Sequence, residues 1–258
     1  SMRWNFTNVS FSRPVRWLLA VHGGSAVPFE YAGLTANNVT HGLRFHEPSS
    51  MVVHTLAEYK AYLEGQGILL DPDERKEAIR SQVSRLCAEV GGSTILDETL
   101  LEEVNQLVEA PTALRGKFDP VHLELPADVL ISVMKKHQRY FPVVDQQGAL
   151  LPYFVAVRNG DGRGLDVVAD GNEQVIRARF SDAHFFIKED LKHKLEDLLD
   201  RLGTLTFQFK LGSMLDKSRR VTSVVENLAD TLNLTAEEKV TALRAAKLCK
   251  ADLVSHMV

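Results

Sequence analysis

A chain of 258 residues can bury a sizeable core and exceeds the usual size of one domain, so one large or two medium domains are expected. Its 45% hydrophobic content is dispersed, and the longest apolar runs, such as residues 17–21, are far too short for a membrane span. The formal net charge of −4 excludes a protein that coats nucleic acid indiscriminately.

Residues 15–33 hold two apolar, β-favouring runs around Gly23-Gly24, the signal of a hairpin with a glycine turn. Residues 35–46 read as loop and short strand. Thr55 and Glu58 form a capping box that predicts a short helix stopped by Gly65. Asp71 and Pro72 supply an N-cap and a first-turn proline, after which Ile79, Val83, Leu86 and Val90 recur at helical spacing as far as Gly91-Gly92. Asp97 caps a further helix through Val108, closed by Pro111.

Residues 126–138 read as a helix with Leu130, Val133, Met134 and His137 on one side, placing Lys135 and Lys136 near its cation-favouring C-terminal end. Residues 139–145 and 150–158 are β-like and flank Gln146-Gln147-Gly148, a second hairpin, with a flexible glycine-rich loop over 159–164. Gly171-Asn172 reads as a turn, and Arg177 and Arg179 stand two apart on a possible strand. From about residue 188 the reading is all helical: residues 188–202, then 214–232, then a helix opened by the Thr235/Glu238 capping box and running to Val258. The expected class is therefore α+β, with mixed antiparallel hairpins and helices followed by an all-helical C-terminal part. Ser1-Met2 is expected to mark an engineered cut inside a longer protein, and the last helix, lacking a terminating glycine or proline, a second cut.

Cys87 and Cys249 form neither a CxxC pair nor a disulfide framework, which suits the cytosol or an organelle interior. Nine histidines invite a metal site, but His41 and His46, or His184 and His193, have no ligating spacing. There is no nucleophile elbow and no phosphate-binding loop; residues 160–164 lack the following Lys-Ser/Thr. Charge is uneven, however. Residues 135–220 carry 15 Lys and Arg against 12 Asp and Glu, leaving 15 against 22 elsewhere, which permits a local phosphate-binding face or a solvated mixed-charge surface.

Within that region residues 134–143 and 171–186 interleave cations with aromatics. Guanidinium forks match phosphate oxygens and aromatic faces stack on bases, so the pattern suits RNA. Candidate contacts are Lys135, Lys136, Arg139, Tyr140, Arg158, Asn172, Arg177 and Arg179. The competing reading makes Phe141, Phe180, Phe185 and Phe186 core, and pairs Arg177 and Arg179 with acids such as Glu173 or Asp182.

The segments FSRPVRWLLAVHGG (residues 11–24), GLRFHEP (42–48), LLEEVNQLVEAP (100–111), MKKHQRYFPVVDQQGALLPYFVAVRNG (134–160), GNEQVIRARFSDAHFF (171–186), LGSMLDKSRR (211–220) and KADLVSHMV (250–258) carry a resemblance. In order, and across essentially the whole chain, they resemble the β subunit of bacterial-type heterotetrameric glycyl-tRNA synthetases. The RYFP at 139–142 is also similar to a subunit of the amidotransferase that remodels misacylated tRNA.

The resemblance implies an internal fragment of such a β subunit: a mixed body over residues 3–187 and a helical region over 188–258 that leads into a truncated HD-type domain. It implies a parent enzyme that joins glycine to tRNA-Gly using ATP and Mg²⁺, with activation and transfer in a separate α subunit of an α2β2 tetramer. No catalytic residue, metal or cofactor is then expected in this fragment, no membrane partner, and a location in the bacterial cytoplasm or, for a plastid or mitochondrial homologue, the organelle interior. Its own role would be tRNA binding, docking to the α subunit, or both. Alternatives are a purely structural scaffold or an editing domain that hydrolyses misacylated tRNA, with His137, Asp182 and His184 as candidates.

Overall fold

The computed structural model describes residues 1–44, 46–95 and 97–257. Phe45, within the 42–48 segment, and Val258, the expected end of the last helix, lie outside the described residues. The chain folds as two compact units, Ser1–Arg177 and Ala178–Val258.

Four short hairpins open the first unit: β1 (Met2–Arg3) with β2 (Ser10–Phe11), β3 (Val21–His22) with β4 (Ser25–Ala26), β5 (Glu30–Tyr31) with β6 (Leu34–Thr35), and β7 (Val39–His41) with β8 (Ser50–Val52). The turn at Gly23-Gly24 is where its sequence puts it, both glycines at positive φ (56° and 81°) as a two-residue hairpin turn requires. The apolar run before it is not a long strand. It is tied down by Asn37, whose N–H donates to Leu18 O and whose carbonyl accepts from Ala20 N, each at 3.0 Å.

The caps then start the helices as expected. Thr55 Oγ1 accepts from Glu58 N (3.2 Å) to open α1 (Leu56–Gly65), and Asp71 Oδ1 accepts from Asp73 N (2.8 Å) to open α2 (Pro72–Ala88). After β9 (Ser93–Thr94), Asp97 Oδ1 accepts from Thr99 N (3.0 Å) to open α3 (Glu98–Leu107). Such caps satisfy first-turn N–H groups that lack a helical partner, worth about 1 kcal/mol each.

β10 (Pro111–Lys117), β11 (Phe141–Val144) and β12 (Leu150–Asn159) complete an antiparallel sheet in the order β10-β12-β11-β9. One face packs on α2 and α3: Ile79, Val83 and Leu101 meet Phe141, Val143 and Val155, and all six are fully buried. Each contributes roughly 1.5–3 kcal/mol by leaving water. Burial also pushes the Cys87 thiol in this layer up to about 11, so it is core rather than nucleophile. On edge strand β10 the outward backbone is capped by a side chain, since Gln82 Oε1 accepts from Ala113 N (2.9 Å) and its Nε2 donates to Pro111 O (3.0 Å).

Two stretches depart from expectation here. Between β10 and β11, α4 (Ala127–Ser132) ends not in an ordinary turn but in a π-helical one over Val133–Gln138, stopped by Arg139 in the left-handed region (φ 56°). Leu130 and Met134 stay fully buried, but the widened turn carries His137 out to solvent. The second departure is Gly171-Asn172, which is not a turn: α5 (Leu165–Asp190) runs straight through it, so Arg177 and Arg179 are helical and not on a strand.

In the second unit α5 ends at Asp190, and the helix expected over 188–202 is instead two 3-10 turns, Leu195–Leu198 and Asp200–Thr204. A hairpin of β13 (Thr206–Gln208) with β14 (Gly212–Ser213) interrupts the helical part before α6 (Met214–Thr231) and α7 (Ala236–Leu248). The last helix does not run on. A 3-10 turn, Ala251–Val254, packs Ala251 and Val254 against Leu198, Leu199 and Leu202. The tail then folds onto Asp190, which accepts from His256 N at 2.8 Å and Met257 N at 3.1 Å. The class is nevertheless the expected mixed α+β. No helix among the described residues is long and apolar enough to cross a membrane.

Candidate functional site

The residues singled out by sequence fall into three structural situations. Lys135 and Arg139 lie at the end of the π turn, where α3 neutralises them: Lys135 Nζ pairs with Asp97 and Arg139 Nε with Glu103 Oε1 (2.7 Å). The Lys135 ammonium, followed by the capping N–H groups, holds the Asp97 carboxyl below its ordinary value. Tyr140 and Asn172 form a second, internal set. The Tyr140 ring is buried and stacked on Phe154 (4.6 Å between centroids, 11°), and its hydroxyl donates to Asn172 Oδ1 at 3.0 Å. Burial pushes the phenol up to about 12, so it stays a neutral donor. Glu173 is likewise occupied, accepting from Lys117 N at 3.0 Å. These interactions hold the first half of α5.

Lys136, Arg177 and Arg179 are the third set, all exposed. Among the described residues none pairs with a carboxylate, and the expected partners Glu173 and Asp182 do not approach Arg177 or Arg179. At 100° per residue the two arginines leave α5 about 200° apart, so they do not form one fork. His137 is exposed at the π turn, and Asp182 and His184 stand two apart on α5, again on different sides. Among the described residues no hydrogen bond joins Asp182 to His184.

Arg158 belongs to something the sequence reading did not assemble. In the first unit, the stretch before β3, the end of β7 with the loop after it, and the loop after β12 surround a cleft of about 880 Å³. Arg16, Arg44, Arg158 and Arg163 line it, with His41, His46 and Trp17; its carboxylates are Glu109 and Asp161. Asp161 is committed, pairing with Arg163 and accepting from His46 Nε2 at 3.0 Å. Burial raises its pKa, but hydrogen bonds from Arg163 and the charges of Arg163 and His46 outweigh that and hold it low. Among the described residues no carboxylate pairs with Arg16, Arg44 or Arg158. The cleft is therefore a cationic recess with unneutralised guanidiniums.

The loop behind it is built to hold that shape. Arg158 donates to Arg163 O (2.9 Å), and Asn159 Oδ1 accepts from Glu109 N and Ala110 N (3.0 and 2.9 Å), pinning the end of β12 to the start of β10. Gly160 adopts φ 137°, open to glycine, and the Arg158 guanidinium lies where a Cβ at 160 would reach 3.2 Å from it. Sequence reasoning missed Arg16, Trp17, His41, Arg44 and Arg163 because they come from three separate stretches, the last more than a hundred positions from the first two. The available signal was that four of the family-like segments, 11–24, 42–48, 100–111 and 134–160, each supply part of the lining.

A family model described as "Glycyl-tRNA synthetase beta subunit" matches residues 1–258. Proteins named "Glycine--tRNA ligase beta subunit" from Clostridioides difficile (strain 630), Bacillus subtilis (strain 168) and Moorella thermoacetica are 46%, 44% and 46% identical over 258, 260 and 257 residues. All of this chain is covered, and it spans 37%, 38% and 37% of those relatives. The chain belongs to the glycyl-tRNA synthetase β-subunit family.

Proposed function

We propose that this chain is the part of a glycine–tRNA ligase β subunit that holds tRNA-Gly by its backbone, in an enzyme whose glycine activation and transfer take place on a separate α subunit. The observation that supports it is a group of cations without carboxylate partners: Lys136, Arg177 and Arg179, exposed on the surface, and Arg16, Arg44 and Arg158 lining the cleft. An unpaired guanidinium gains more from a phosphate than one already neutralised, as Arg139 is by Glu103. Tyr140 and Asn172 then act by fixing α5, and Lys135 and Arg139 are held in reserve by α3.

ATP and Mg²⁺ belong on this reading to the α subunit. The carboxylates here do not fit Mg²⁺: Asp161 is taken by Arg163 and His46, and no three His, Cys, Asp or Glu side chains gather as a metal site among the described residues. In the complete α/β enzyme, Lys136→Ala, Arg177→Ala and Arg179→Ala combined are expected to flatten the dependence of log Kd for tRNA-Gly on log salt by about one unit for each phosphate interaction removed. Unchanged affinity with an unchanged slope would sink the proposal.

A second role, docking to the α subunit, is favoured by the β13–β14 hairpin. Phe209 at its tip is 95% exposed, with Leu211 at 51% beside it, an apolar knob of the kind a partner can cover. Phe209→Ser with Leu211→Ser is expected to weaken assembly of the complete β subunit with α at least about tenfold, as loss of an apolar anchor does. Sedimentation velocity of the mixed subunits measures it; normal assembly would remove this role.

A further inference from the structure

The cleft of the first unit is too large for a lone phosphate and has more than charge in it. The Trp17 indole is 41% exposed and lines it, supported by the His41 ring at 4.6 Å with a 55° tilt. We infer that the cleft captures a single nucleotide unit, its phosphate held by Arg16, Arg44 and Arg158 and its base laid on the free face of Trp17.

This rests on the RNA-binding reading above and adds to it a discrete pocket. A volume of about 880 Å³ suits a ligand of nucleotide size, near the top of the usual range for small-ligand sites. Arg158 is pre-oriented by its bond to Arg163 O, so its fork loses little freedom on meeting a phosphate. The His41 ring packs against the indole at a tilt, and an aromatic face held in the cleft gives base stacking that any base can use. An acidic peptide would satisfy the arginines but leave the indole face without a planar partner. The chemistry favours a nucleotide, free or within an RNA strand.

The test uses this 258-residue chain with Trp4→Phe, which leaves Trp17 as its sole tryptophan. Nucleoside monophosphates, an unstructured RNA trinucleotide, inorganic phosphate and a polyglutamate peptide are titrated while Trp17 fluorescence is read. Saturable quenching by the monophosphates and the trinucleotide is expected, with inorganic phosphate competing but not quenching. Quenching by both alike points to a free nucleotide, and quenching by the trinucleotide alone to a nucleotide within RNA; either supports the pocket.

Arg44→Ala with Arg158→Ala is expected to weaken quenching at least tenfold. Because Arg158 also braces its loop, Arg44→Ala alone serves as the second variant, with a several-fold weakening. No quenching by any nucleotide, displacement by polyglutamate as effective as by nucleotide, or wild-type binding by both arginine variants overturns the inference. tRNA-Gly binding measured on the complete enzyme separates the two proposals. Intact tRNA binding with a silent Trp17 removes only the pocket, whereas nucleotide quenching without tRNA binding upholds the pocket and removes the backbone-binding reading.

Discussion

Phe154→Ala is expected to cost the first unit about 3–5 kcal/mol, the usual range for deleting a fully buried aromatic ring. Phe154 is 0% exposed and lies on the face of β12 opposite Val155, so it belongs to the layer away from α2 and α3. Its cross-strand partner on β10 is Gly116, and a Cβ built at Gly116 would overlap the ring. The ring thus covers a strand position that has no side chain of its own. On its other side Tyr140 stacks on it and reaches Asn172, so losing the ring also loosens the hydrogen bond that holds α5.

Urea unfolding followed by tryptophan fluorescence checks this, because both tryptophans, Trp4 and Trp17, lie in the first unit. With a slope of about 1–3 kcal/mol per molar urea, the midpoint should fall by at least about 1 M. Phe209→Ala, at an exposed tip, should change stability by less than about 0.5 kcal/mol. Gly116→Ala is expected to cost about 1–3 kcal/mol by overpacking, and less in the Phe154→Ala background, where the ring it strikes is gone. Additive losses would mean that the two side chains do not meet in this way.

What could be read in advance, and what could not, divides along the range of the forces involved. Thr55, Asp71, Asp97 and Thr235 cap helices where their local chemistry says they should, because a cap is settled within four residues. Gly171-Asn172 misled because a local preference lost to packing. Glycine within a helix costs about 1 kcal/mol, whereas Ile176 and Phe180, both 0% exposed, each gain roughly 1.5–3 kcal/mol by burial. Ile176, Phe180 and Ala183 recur at i, i+4 and i+7, a helical period hidden behind the neighbouring arginines. The last helix failed the other way. It ends without glycine or proline because Ala251 and Val254 are drawn into the core of the second unit. The cleft is the extreme case, since no local rule links Arg16, Arg44 and Arg158.

Asn105→Ala is expected to destabilise the first unit by about 3 kcal/mol, more than its exposed neighbours on α3 suggest. Asn105 is 1% exposed and ties α3 to the start of α2: its Nδ2 donates to Pro72 O (3.0 Å), while its Oδ1 and its carbonyl accept from Arg75 Nε at 3.0 and 3.2 Å. The same guanidinium donates through NH1 to Leu69 O at 2.6 Å. Removing the amide breaks its bonds to the Pro72 carbonyl and to Arg75 Nε and empties a position only 1% exposed, and each lost bond costs about 0.5–1.5 kcal/mol before the void is counted.

The ion pairs between the same helices, Lys76 with Glu98 and Glu102 and Arg80 with Glu98, are solvent-exposed and screened, so they do not make up the loss. Urea unfolding at low and high salt separates the two contributions. The Asn105→Ala loss should persist at 1 M NaCl, where exposed pairs are screened to about 3 Å. If the loss vanished in salt, the surface pairs and not the buried amide would be what joins α2 to α3. On the tRNA-binding proposal the consequence reaches further, because Asp97 at the cap of α3 and Glu103 within it hold Lys135 and Arg139. A chain in which α3 shifts should therefore release two cations, and tRNA-Gly should bind the Asn105→Ala enzyme with a steeper salt dependence even as the fold weakens.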